Sequence, residues 1–78
     1  MTNKEIFSEA YRRNLERAAQ SRPDQYGFIV GHVNETADRM LAAVERRTYN
    51  KDGFAFKWTC KELGIKYTYT AINNFWRS

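Results

Sequence analysis

The stretch FKWTCKELGIKYTYTAINNFW, Phe56–Trp76, decides how this chain folds. Gly64 separates two segments of helical spacing, and a glycine there accepts the left-handed backbone that closes a helix. Around it the parts of a helix-turn-helix fall in order. Cys60 is a small residue on the first helix, Gly64 ends that helix, Ile65 plugs the core and Thr68 caps the second. Ala71, Ile72 and Phe75 then face inward. Lys66, Tyr67, Tyr69, Thr70, Asn73, Asn74 and Arg77 are left for phosphates and base edges, where Asn pairs with adenine and the basic groups neutralise the backbone. With Thr68 as the cap, the turn GIKYT is one residue longer than usual, and any two helices joined through a C-cap glycine share much of this pattern. The stretch predicts the corner; a nucleic-acid reader and a generic corner both remain open.

The helix before Gly64 is apolar on two sides. Phe56, Cys60 and Leu63 form a core stripe, whereas Phe54 and Trp58 point nearly the opposite way, beside Lys57 and Lys61. Such a helix is either sandwiched centrally or shows one side to a partner. In the second case Trp58 between lysines suits a protein-binding hot spot, or a platform on which an unpaired base stacks.

Upstream, Thr2 and Glu5 have capping-box spacing. Phe7, Tyr11, Asn14, Leu15 and Ala18 share one side of a helix over 3–20, with Glu9 and Arg13 at salt-bridging spacing on the other. Ser21 and Pro23 start a short turn through Tyr26, and FIVGHV is a compact apolar connector with no second strand to pair with. Asn34 is placed to cap a helix over 35–47 with Ala37, Met40, Leu41 and Val44 inside. TYNKDG, residues 48–53, has turn chemistry, and Asp52 is placed to cap the helix over 53–63. The reading is one all-α domain, 1–78, a bundle of four to five short helices.

Composition narrows the function. A chain of 78 residues buries about 60% of its unfolded surface, which leaves little room for an enclosed catalytic cavity. One Cys and one His cannot assemble a zinc site without scattered carboxylates, and no Gly-rich phosphate loop or pair of carboxylates on an apolar face stands out. The chain reads as non-catalytic, with no cofactor, metal or small-molecule substrate. The lone Cys60 fits a reducing compartment, and the lack of a basic-then-apolar leader or a long apolar run points to the cytosol. Charge is uneven. Residues 1–45 carry six basic groups against seven acids, net −1, and residues 46–78 carry seven against two, net +5, with eight of the twelve aromatics. That asymmetry points to an anionic partner on the C-terminal half, or to a basic surface kept for solubility.

As a whole the chain resembles a group of small phage-encoded proteins. The resemblance rests on PDQYGF, on RMLAAVERRTYNKDG and above all on TCKELGIKYTYTAI, and covers roughly residues 5–76. It implies a phage or prophage origin and expression in a bacterial cytoplasm, and it transfers no site residues. Two functions follow as expectations. One is a regulator of transcription that binds DNA through the 56–76 corner, acting as a homodimer because one brief recognition helix gives little affinity alone. The alternative is a module that modulates a host complex, such as RNA polymerase or a defence complex, by direct contact through Phe54, Trp58 and their lysines.

Overall fold

The computed structural model describes residues 1–50 and 53–78. Its helices are α1 (Asn3–Ser21), α2 (Pro23–Tyr26), α3 (Val33–Glu45), α4 (Phe54–Leu63) and α5 (Tyr69–Arg77), with a 3₁₀ turn at Gly27–Ile29 and no strand among the described residues. The molecule is an all-α bundle with a helix-turn-helix-like C-terminal corner.

Helix α1 is its spine. At 1.5 Å per residue its 19 residues run about 28 Å, most of the 35 Å long axis. The helix starts as the sequence predicts: the Thr2 hydroxyl accepts from the Glu5 N–H, and the Glu5 carboxylate returns to the Thr2 backbone. Phe7, Ala10, Tyr11, Asn14, Leu15, Ala18 and Ala19 are all buried. That face is wide enough to receive α2, α3, α4, α5 and the 3₁₀ turn. A small fold thereby builds one core around a single helix instead of two layers.

Aromatic rings do the packing that scarce leucines cannot. Tyr11 stacks on Phe56 at 4.2 Å. Phe7 meets Phe56 of α4 at 6.5 Å and Trp76 of α5 at 5.6 Å, so one ring of α1 links both helices of the corner. Edge and stacked pairs of this kind add about 0.5–1.5 kcal/mol each beyond area burial. A polar strut fixes the α1–α4 register. Buried Asn14 Nδ2 donates to Ala10 O and to Thr59 Oγ1, and Thr59 Oγ1 donates to Ala55 O.

Burial, with the neighbouring phenols of Tyr49, Tyr67 and Tyr26 adding to it, raises the Tyr11 hydroxyl far above its ordinary range. The hydroxyl lies 2.7 Å from Met40 Sδ, to which it donates. The folded chain holds this proton more tightly than the unfolded chain does. Stability therefore falls once pH passes the unfolded phenol's value of about 10, by up to ~1.4 kcal/mol per pH unit. Urea titrations from about pH 9 to about pH 11 should show a flatter decline for Tyr11→Phe than for the parent. Equal slopes would mean that Tyr11 is not the titrating group.

The corner forms as its chemistry requires. Gly64 lies at φ 69°, and the Ile65 N–H reaches back to Cys60 O at 2.9 Å. That closure leaves Ile65 packed against the core. The Thr68 hydroxyl accepts from the Ala71 N–H, so α5 starts at Tyr69. Helix α4 rests on α1, and α5 rests on α1 and α3.

Four local expectations change. Ser21 ends α1, and the residue before α2 is Arg22, which makes no side-chain cap. Helix α3 begins at Val33, so Asn34 lies inside its first turn. There its carbonyl accepts from Arg12 Nε at 3.0 Å. Arg13 pairs with Glu62 of α4 at 3.0 Å rather than with Glu9, because the α1–α4 contact brings the more distant carboxylate closer. The cap position of α4 is held by Gly53 without a side-chain bond, and the expectation for Asp52 lies outside the described residues.

Candidate functional site

Of the predicted site residues, Lys57, Trp58 and Lys61 share the outer face of α4. The lysines are exposed and Trp58 is half-buried. Phe54 lies on the same face, its ring 5.9 Å from that of Trp58. The two rings are not bare. The Arg17 guanidinium lies 4.3 Å from the centre of the Trp58 ring, and Arg22 lies 4.1 Å from that of Phe54. Tyr26 closes the end of the row edge-on to Phe54 at 6.3 Å.

This row follows from two helices running side by side in opposite directions. Arg13, Arg17 and Arg22 step along α1 and just past its end, while Glu62, Trp58 and Phe54 step back along α4. One step is an ion pair; the next two are arginine on an aromatic face. A cation over a ring is worth about 0.5–1 kcal/mol at an exposed site. Among the described residues Arg17, Arg22, Lys57 and Lys61 form no ion pair, whereas Lys4, Arg12 and Arg13 are matched to Glu45, Asp38 and Glu62. Arg39, Arg46, Arg47, Lys66 and Arg77 are unpaired as well among the described residues, so the α1–α4 seam is set apart by the two unpaired arginines that lie against aromatic rings.

The α5 part of the prediction divides. Thr70, Asn74 and Arg77 are exposed and lie along one line of the helix. Lys66 is exposed in the turn, and Tyr67 and Tyr69 are half-buried against the core. Asn73 is a correction to the outward-facing set. It is only 3% exposed and its Oδ1 has no partner among the described residues. Ile72 and Trp76, one residue before and three after it, dock on the bundle and carry Asn73 inward. A buried unsatisfied carbonyl costs about 1–3 kcal/mol, so Asn73→Leu, of similar volume, should raise stability by about 1 kcal/mol in a urea titration. It should leave any nucleic-acid affinity unchanged; a loss of affinity with the fold intact would return Asn73 to the site.

The two parts of the site are also apart. Trp58 meets α1 at Arg17, whereas Trp76 meets it at Lys4, whose Nζ lies 5.7 Å from the Trp76 ring centre. Thirteen residues of helix separate those anchors by about 20 Å. Phe54 and Trp58 of the α4 cluster have cation partners, whereas among the described residues no ion pair or ring contact holds Thr70, Asn74 or Arg77.

Sequence reasoning missed Arg17 and Arg22. Periodicity puts both outside the core stripe, and what they cover is set by α4, some forty residues away. The spacing of 54 and 58 against 17 and 22 was the available signal, readable only once α1 and α4 are known to pair. Elsewhere, an open groove of about 590 Å³ between α1 and α3 is bordered by Lys4, Glu5, Glu9, Arg12, Asp38 and Glu45, with Trp76 at its end. Cys60 is buried and His32 is exposed beside Glu35. Among the described residues no group of three His, Cys, Asp or Glu side chains could hold a metal, and no helix is long and apolar enough to cross a membrane. No family model, curated protein or solved structure matches the chain.

Proposed function

We propose that this chain is a small phage regulatory protein of the bacterial cytoplasm that acts without catalysis by binding nucleic acid, and that its main contact is the α1–α4 seam. The observation that carries this reading is the set Arg17, Arg22, Lys57 and Lys61, unneutralised among the described residues and gathered around Phe54 and Trp58.

The arrangement favours phosphates over bases. Base stacking needs an open aromatic face, and here guanidinium groups lie over both rings. A base would have to displace Arg17 before it reached Trp58. Each arginine lies over its ring and makes no ion pair among the described residues, and a guanidinium suits the bidentate geometry of a phosphate. The two rings lie 5.9 Å apart, so the two arginines present neighbouring positive groups along one row. Contacts of this type position a protein on nucleic acid without reading sequence. Helix α5, with Thr70, Asn74 and Arg77, offers a second and smaller polar edge for base contacts.

The test is a salt titration of binding to duplex DNA. With four cations engaged, the logarithm of affinity should fall against the logarithm of salt with a slope of about −3 to −4. Absence of binding at low salt, with a host protein captured in a nuclease-resistant complex, would move the function to the host-modulating alternative.

A further inference from the structure

Phe28 and Val30 are 72% and 64% exposed on either side of buried Ile29. Phe28 stands on the rim of an open groove of about 480 Å³, whose apolar walls are Met40, Ala43 and Tyr49, with Thr36 at its floor. Single exposed apolar side chains are ordinary, but an exposed aromatic that continues into an apolar groove forms a patch of the kind that marks an interaction surface. The patch is separate from the α1–α4 seam.

The charges beside the groove say what fits it. Glu35, Arg39 and Arg46 are exposed along the outside of α3, four and eleven residues from the first, and so within about 40° of one line. Glu35 is at the N-terminal end and Arg46 is the C-cap. Among the described residues neither arginine is ion-paired, and Glu35 lies 3.7 Å from His32. With Glu35 at one end, Arg46 at the other and Arg39 between them, the end charges are matched when two copies lie antiparallel. That arrangement sets Glu35 of each copy against Arg46 of the other. It also carries Phe28, which precedes the start of α3, over Ala43 and Tyr49 beyond the middle of the second copy's helix.

We infer that this groove is the docking site for a second copy of the chain, an isologous contact across a two-fold axis, with Phe28 as the anchor and the Glu35–Arg46 pairs setting the direction. It rests on nothing in the nucleic-acid reading and is measured without nucleic acid.

Sedimentation equilibrium of the full chain tests it. The parent should show a monomer–dimer equilibrium. Phe28→Ser should weaken the dimer by more than about tenfold, as loss of an aromatic anchor does, while its circular-dichroism melt stays close to the parent's because the side chain is exposed. Arg46→Glu alone should weaken the dimer, and Glu35→Arg combined with Arg46→Glu should restore it. A chain that stays monomeric at near-millimolar concentration overturns the inference. So does a dimer indifferent to Phe28→Ser, or one that the double reversal fails to restore, or a host protein bound in the groove of a monomer.

Discussion

Phe7→Ala is expected to leave much of the chain unfolded at 37 °C. Phe7 is fully buried, and its ring touches Phe56, Phe75 and Trp76. Truncation of a buried phenylalanine costs about 3–5 kcal/mol, made up of lost transfer energy and the cavity left behind. For 78 residues total stability is of the order of 4–12 kcal/mol, so one ring accounts for a large share. Each kcal/mol moves the midpoint of a domain this size by about 4–8 °C, and thermal melts should show a fall of roughly 15 °C or more. The reason is architectural. α4 and α5 each dock on α1, and Phe7 is the side chain that meets both. If the fall were only a few degrees, the core would have to be organised around another residue.

Reversal of Arg17 and Arg22 to Glu should nearly abolish nucleic-acid binding and reduce the salt slope by about two. Two reversals take the net charge from +4 to 0, removing general attraction as well as two phosphate contacts. Position is separated from charge by single variants. Arg17→Glu and Arg47→Glu change net charge equally, but Arg47 lies beyond the end of α3. Arg17→Glu should cost much more affinity. The folding cost of the double variant is small, about 1–2 kcal/mol from two cation–π contacts, and melts will separate that cost from the binding loss. Equal effects of Arg17→Glu and Arg47→Glu would leave only diffuse electrostatics and no built site.

What the sequence made legible was local. The Thr2–Glu5 box, the Gly64 closure and the Thr68 cap are each written within three to five residues, and each is present. Helical periodicity also placed Phe7, Tyr11, Leu15, Phe56, Cys60 and Ile72 in the core. It failed where a third element decides. Asn73 and Trp76 lie on the side of α5 that α1 and α3 cover, and a nine-residue helix at the end of the chain does not announce which side that is. Asn34 was a good cap by type, but α3 extends two residues further back and Arg12 uses the carbonyl instead. Arg17 and Arg22 take their place from α4, which supplies the rings beneath them. The Lys57, Trp58 and Lys61 part of the site was readable because it lies on one helix; the arginines that complete it come from another.

The α1–α4 seam holds one tryptophan and not the other, so both indole N–H signals are to be followed by NMR during addition of a short DNA duplex. Trp58, half-buried under Arg17 at the seam, should shift in proportion to binding, together with the Arg17 and Arg22 side-chain Nε–H signals. Trp76, 7% exposed and packed on Phe7, should stay where it is. A Trp58 signal that does not move while DNA binds, or a Trp76 signal that moves in its place, would mean that the α1–α4 seam is not the contact.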